Sequence, residues 1–533
     1  MLADMIEEAG AERRRVGGLP GERVDSGPGE SVPRRGVCMS TSAAQQAVDF
    51  AAPSSPSSLH MGCIASPAVV LTVTVGWTRP NIRFRGVSCS LGAMSNERAT
   101  AVWPGAERQT PRALIPWGFR DSGFHSCTSL MPDHPAASGA RYSDRTETVV
   151  YPIIHQIAAF GVEEEFHTVD LATRRLTAQA DRLMEQLPAG SFSLELQRSV
   201  LEANSRPWDG LTDLAGDIAA LRQAAIAAAE PLGLGIVAAG TVPLADPDTL
   251  GITPEPRYEH MAGEYRMLVS EQLICGTQVH VDVPDRDLAV AVAHRVAPWL
   301  PALLALSASS PFWLGNDTGY ASYRTLVWRR WPTAGALHGF ESAAEYDRTV
   351  AELVRSGVIT DPGMIYFDVR PSDHLPTLEL RICDSCPRLE DVVLLAGLFR
   401  ALVMRETAAV IAGRRPVSVR PELLQAATWR AAQAGLEGHL IDPVTATPMP
   451  ARALIGQLLA GLRPALEAVG DRELVTELTT LALARGSSAA QQRAARASGG
   501  LHHVVDTLVA ETRATPIWLP GTGPARATVS ATL

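Results

Sequence analysis

Two patterns in this 533-residue chain predict an α+β fold. Four short segments between residues 160 and 383 alternate apolar and polar side chains with the two-residue period of strands, and longer segments with helical apolar spacing run between and after them. From Pro421 to about Thr515 the pattern is almost wholly helical, with Ala, Leu, Arg and Glu dominating. The apolar sides of the strands then pack on helices, and their polar sides share one face of a sheet.

Composition narrows the class. The chain is 46% hydrophobic and 20% charged, as expected of a soluble globular protein. With 47 Lys and Arg against 57 Asp and Glu its net charge is −10, which argues against nucleic-acid binding through bulk charge. Seven scattered cysteines do not make a disulfide scaffold and point to a reducing, cytoplasmic setting.

Residues 1–145 are rich in Arg, Gly, Ser, Pro and Ala, with poor apolar periodicity, and read as a disordered tail or as sequence upstream of a start at Met131. Within it, "MGCIASPAVVLTVTVGW" (61–77) contains Pro67, falls short of the ~20 apolar residues of a spanning helix and follows no basic cluster, so it is not read as a membrane anchor. Residues 150–515 read as one catalytic domain, and 516–533 as a flexible C-terminal tail.

Along that domain, "FGVEEEFHTV" (160–169) reads as a strand with Glu163, Glu165 and His167 on one side and Val162, Glu164 and Phe166 on the other. Alone, such a run is a solvated edge strand. Helical spacing follows at 211–233, then a strand and turn in "VAAGTVPLADP" (237–247). "TQVHVDV" (277–283) sets Gln278, His280 and Asp282 against three valines, and a helix pattern covers 286–308. "IYFDVRP" (365–371) sets Tyr366, Asp368 and Arg370 against Ile365, Phe367 and Val369. "TLELRIC" (377–383) sets Thr377, Glu379 and Arg381 against Leu378, Leu380 and Ile382, before a long helix at 389–413.

A solvated sheet face carries mostly Thr, Lys, Ser and Gln. Four strands bearing Glu, His, Asp and Arg instead describe the floor of a site. Carboxylates with one imidazole suit Mg2+ or Mn2+. Zinc fits less well, since the domain has three cysteines and none pairs with a histidine at finger spacing; the "CDSC" run (383–386) lacks the strand-to-helix context of a redox motif. Several divalent ions and arginines on one floor suit phosphoryl transfer, and no Walker loop or kinase glycine loop is present.

Six ordered stretches carry a resemblance: "GVEEEF" (161–166), "ELQRSVLEANSRP" (195–207), "CGTQVHVDVPD" (275–285), "SASSPFWLGNDTGYASYR" (307–324), "WPTAG" (331–335) and "DVRPSDHLPTLELRICD" (368–384). Over about residues 155–515 the chain resembles the carboxylate–amine ligases grouped as glutamate–cysteine ligase type 2, within the glutamine synthetase superfamily. The resemblance implies a glutamine synthetase-like catalytic domain with a curved, mainly antiparallel sheet backed by helices. It implies ATP and Mg2+ (or Mn2+) as cofactors, and a γ-glutamyl amide formed through an acyl phosphate, with weak glutamate–cysteine ligase activity. The partners are then small molecules, L-glutamate or a similar acid and cysteine or another amine, with neither nucleic acid nor membrane, and a homo-oligomer is compatible.

Carried over by position, Glu163, Glu165, Glu202, His280 and Glu379 are the metal set, and Arg381, Arg370 and Arg324 are the catalytic and phosphate contacts. Arg324, Glu195 and Tyr323 are the substrate contacts. Glu195 and Glu202 are seven positions apart, which on an unbroken strand puts them on opposite faces. Gln278 and Asp282 stand where relatives have a second histidine and a glycine, which opens the identity of the amine. Two other readings share the same residues: a guanidino-kinase-like phosphotransferase, and a non-catalytic nucleotide- or metal-binding regulator.

Overall fold

The computed structural model of the chain describes residues 59–66, 69–78, 83–93, 159–337 and 339–516. The chain divides into two compact units, Met1–Ala136 and Ala137–Leu533.

In the first unit, β1 (Leu59–Ser66), β2 (Val69–Thr78) and β3 (Arg83–Ala93) form an antiparallel sheet in that order. These strands fall within the stretch expected to be a disordered tail. The run "VVLTVTV" is dense in β-branched residues, whose stiff χ1 suits strands and outweighs the breakers on either side. The rest of the expected tail lies outside the described residues, as do residues 517–533 at the other end.

The second unit is built on seven antiparallel strands: β4 (Phe160–Asp170), β5 (Phe192–Leu194), β6 (Val200–Asn204), β7 (Leu234–Val237), β8 (Thr277–Asp282), β9 (Val369–Pro371) and β10 (Thr377–Leu380). Their order is β9-β10-β8-β4-β6-β5, with β7 paired to the far end of β4. Val162, Val279, Val281, Leu378, Leu380 and Val369 all lie in the main core, so the apolar sides of the strands do face one way.

That face packs on the helix α2 (Leu389–Ile411), after α1 (Leu211–Ala229) in chain order. α2 is apolar on almost every side because it is covered on almost every side, by β4 and β8, by α1 and by three of the helices described next. The expected helical C-terminal part is α3 (Pro421–Ala434), α4 (Ala451–Val469), α5 (Arg472–Arg485) and α6 (Ser488–Arg513), of which α4 and α5 lie on α2. Arg286–Ser307 is long and apolar enough to cross a membrane by composition, and most of it is buried inside the protein, part of it against α2.

The middle glutamate of the run 163–165 resolves cleanly. Glu164 lies on the buried side, 2% exposed, and its carboxylate takes two hydrogen bonds from Arg222 of α1, at 2.6 and 3.1 Å. Arg222 also donates to the carbonyls of Cys386 and Pro387, so this pair ties β4, α1 and the entry to α2 together. One strand is shorter than its pattern. Residues 365–368 leave the sheet because Phe367 bridges to Gly335 and the Asp368 amide donates to the Gly335 carbonyl at 2.7 Å.

Candidate active site

The opposite face of the sheet gathers the charged side chains through register alone. Glu163 stands opposite Gln278 and Glu165 opposite Glu202, while His280 has Gly161 on one side and Glu379 on the other. Glu379 in turn faces Arg370 on β9. Residues directly opposite in an antiparallel pair have Cβ atoms about 5 Å apart, so these groups meet without any long-range accident of packing.

Toward β9, opposite charges meet. Glu163 Oε1 lies 3.1 Å from His280 Nε2, and the other ring nitrogen is 2.9 Å from Thr377 Oγ1. Glu379 accepts from Arg370 Nε at 2.8 Å and from Arg381. Burial alone would raise the Glu379 carboxyl, but Arg381, Arg370 and His280 outweigh it and hold it well below the usual carboxylate range. Burial likewise opposes charge on His280, yet its bond to Glu163 and the field of Glu379 raise its pKa. One ligand atom from each of Glu163, His280 and Glu379 lies within 4.8 Å of the others.

Toward β5, like charges meet. Glu165 accepts from the Gly276 amide at 2.5 Å and from Gln278 Nε2 at 2.9 Å; Glu202 accepts from Ser193 Oγ at 2.9 Å. Burial and the neighbouring Glu165 push Glu195 up to about 7, and burial with the charges of Glu195, Glu163 and Glu165 raises Glu202 well above the usual range. Glu195 and Glu202 both line the cavity, although an unbroken strand would put them on opposite faces. The strand between them is broken: β5 ends at Leu194, a loop turns the chain back, and β6 begins at Val200.

Glu165, Glu195, Glu202, Arg324 and Arg381 line a cavity of about 550 Å³ together with the rings of Tyr258, Trp328, Trp331 and Tyr366. Glu163, His280, Glu379 and Arg370 stand farther along the same face, outside the residues that line it. The donor set fits divalent cations. Hard oxygens dominate, one imidazole joins them, and the acidic cluster repels itself unless positive charge enters.

Arg324 is 3% exposed. It donates to the carbonyls of Ile382 and Arg381, both at 3.2 Å, has no hydrogen bond at Nε and forms no ion pair with a carboxylate among the described residues. A buried guanidinium with no carboxylate in direct contact, its charge felt by the buried Asp384 and Asp368, is on a cavity wall a place for an anion. Tyr323, expected as a substrate contact, does not line the cavity; its ring packs on Trp313 and Tyr320. As the residue before the short helix Arg324–Trp328, it lies beside Arg324 in sequence only. His167 keeps its expected face but is fully enclosed, and burial pushes it to about 3. Cys275, Cys383 and Cys386 are free and buried.

Most of the aromatic lining of the cavity escaped the sequence reading. Its four rings come from positions 258, 328, 331 and 366, with no common spacing; Trp331 falls in a noted motif and Tyr366 on the polar side of the 365–371 run.

A family model described as glutamate-cysteine ligase family 2 matches residues 159–507. A Frankia casuarinae protein named as a candidate glutamate–cysteine ligase 2-2 is 55% identical over 362 residues, covering 68% of this chain and 42% of its own length. A Mycolicibacterium smegmatis protein of the same name is 53% identical over 354 residues, covering 66% of this chain and 89% of its own. The chain thus spans about two fifths of the Frankia relative. Among solved structures, a glutamate–cysteine ligase from Francisella tularensis, in complex with AMP, superposes with a TM-score of 0.53 at 12% identity, over 68% of this chain and 90% of that one. A bifunctional glutathione synthetase from Pasteurella multocida gives 0.51 at 15%, over 68% and 53%. At those identities the likeness is one of fold.

Proposed function

This chain belongs to glutamate–cysteine ligase family 2, and on that premise we propose that it is an ATP-dependent carboxylate–amine ligase. One observation carries the reading: Glu163, Glu165, Glu195 and Glu202 crowd one another, and a buried arginine with no carboxylate in direct contact lines the cavity that the last three border. Self-repelling carboxylates suit bound divalent cations, and the uncommitted guanidinium suits a substrate carboxylate or phosphate.

The acid substrate is L-glutamate or a close analogue, and its side-chain carboxylate oxygen attacks the γ-phosphorus of ATP with release of ADP. The amine, cysteine or another, attacks the resulting acyl phosphate as its free base, and the carbon–oxygen bond to phosphate breaks. Glu163, His280 and Glu379 would hold one Mg2+ or Mn2+, Glu165 and Glu202 would complete the metal set, and Glu195 would contact the acid substrate. Bound there, such ions neutralise phosphate oxygens during transfer. Arg324 orients the anionic group at the cavity wall. Arg370 and Arg381 hold Glu379 ionised and place positive charge where the transferred phosphoryl group gathers negative charge.

The test is ADP release from ATP and Mg2+ with L-glutamate and a panel of amines, on the wild type and Glu163→Ala. Turnover requiring both acid and amine, and lost in the variant, supports the ligase. ADP formed with an amine alone, or none with any pair, would overturn it.

A further inference from the structure

Arg324 is useful to an anion only if its guanidinium is held where it is, and the structure holds it by an unusual route. Asp384 lies just beyond β10 and is fully buried. It neither touches Arg324 nor pairs with any arginine among the described residues. Its carboxylate accepts instead from the Ser309 amide at 2.9 Å, from Ser310 Oγ at 2.7 Å and from Ser322 Oγ at 2.7 Å.

These three bonds clamp both ends of one segment. Ser310 and Ser322 bridge in parallel, and the Tyr323 amide returns to the Ser310 carbonyl at 2.9 Å. Ser310 Oγ then accepts the amide of Arg324 at 3.0 Å, and Ser322 Oγ meets Thr325 Oγ1 at 2.8 Å. The side chain is fixed from the same stretch as Asp384, through the carbonyls of Arg381 and Ile382.

Two glycines make the arrangement possible. A Cβ at Gly276 would collide with the Arg324 guanidinium, and one at Gly240 would lie 2.7 Å from the Asp384 carboxyl carbon. A carboxylate buried at such cost, hydrogen-bonded through its oxygens to three serines and within reach of the Arg324 charge, and backed by a glycine that admits it, is more than one hydrogen bond's worth of structure.

We propose that Asp384 is a positioning residue that holds the Ser309–Ser322 segment, so that Arg324 faces the cavity uncommitted and binds an oxyanion of the substrate. This rests on the ligase reading for the identity of that oxyanion, which is either the carboxylate of the acid or a phosphate of ATP. Asp384 acts through Arg324, so its loss and the loss of Arg324 are one event counted once.

The experiment is calorimetric titration of the full chain with L-glutamate and, separately, with Mg·ATP, for wild type, Arg324→Gln, Asp384→Asn and the double variant. The clamp predicts that Asp384→Asn weakens the same single ligand as Arg324→Gln, by about tenfold. The double variant is then no weaker than Arg324→Gln alone. A folded Asp384→Asn that binds both ligands as wild type does, that weakens both equally, or whose loss multiplies with that of Arg324→Gln, overturns the proposal.

Should Asp384→Asn not fold, Ser310→Ala and Ser322→Ala each remove one bond and are expected to show the same selectivity at about threefold; no selectivity overturns it. Should the wild type bind neither ligand, the ligase reading falls, and Trp328 still decides the clamp. Arg324 sits 5.7 Å from its ring, and its emission, taken as the difference from Trp328→Phe, must shift in Asp384→Asn as it does in Arg324→Gln. An unshifted emission overturns the proposal.

Discussion

Two halves of one sheet face carry the same residue type in opposite electrostatic states. Near β9, Glu379 has two arginines and a histidine about it and is held ionised. Near β5, Glu195 and Glu202 have mainly other carboxylates about them and are pushed toward protonation. Burial is severe in both halves, so burial does not separate them; the partner does. The first half carries its own counter-charge, and on the proposed reading cations from outside would complete the second.

The contrast predicts opposite signs for one substitution. Glu379→Gln leaves Arg370 and Arg381 buried without a carboxylate, and should destabilise the protein by about 3–5 kcal/mol by chemical denaturation. Glu202→Gln removes a repelled charge. It should raise the melting temperature of metal-free protein by roughly 2–5 °C while abolishing ligase turnover. Destabilisation by both variants would erase the distinction between the halves.

A pH series sharpens it. Glu195 keeps a proton in the folded chain that the unfolded chain has released between its ordinary 4.5 and about 7. Its contribution to metal-free stability therefore falls as pH rises through that window, and levels off above it. Glu195→Gln should remove this slope, and saturating Mg2+ should do the same in wild type. An unchanged slope in Glu195→Gln would place the titration elsewhere.

His167 provides an effect with the opposite sign. Its folded pKa of about 3 lies below the ordinary 6.5, so the unfolded chain takes up a proton first and stability is lost as pH falls through that range. His167→Leu should flatten the acid limb of the stability curve, measured in the Glu195→Gln background so that the two opposing slopes do not cancel.

Much of this face was legible in the sequence because strand alternation is strictly local. The side on which Glu163, Glu165, His280 and Glu379 lie follows from a period of two, and so does Glu164 turning inward to Arg222. The helices were legible from their own local period, whereas the central position of α2, which buries Asp391, Arg400 and Glu406 among its apolar residues, was not. Where the period is interrupted, sequence reasoning fails. The loop between β5 and β6 brings Glu195 back beside Glu202, and no strand rule anticipates it. The resemblance implies Tyr323 as a substrate contact with Arg324, yet of the two only Arg324 lines the cavity.

The sequence by itself determined the α+β class, the two faces of the strands and the residue types on the polar one, since these depend on neighbours two to four positions away. Tertiary structure decided which carboxylates have counter-charges, which rings wall the cavity and how Arg324 comes to be buried with no carboxylate in direct contact. Those outcomes depend on register between strands far apart in the chain, as in the pairing of Glu165 with Glu202 and of His280 with Glu379. Charge interacts through space with whatever the register places beside it, and order along the chain does not record that.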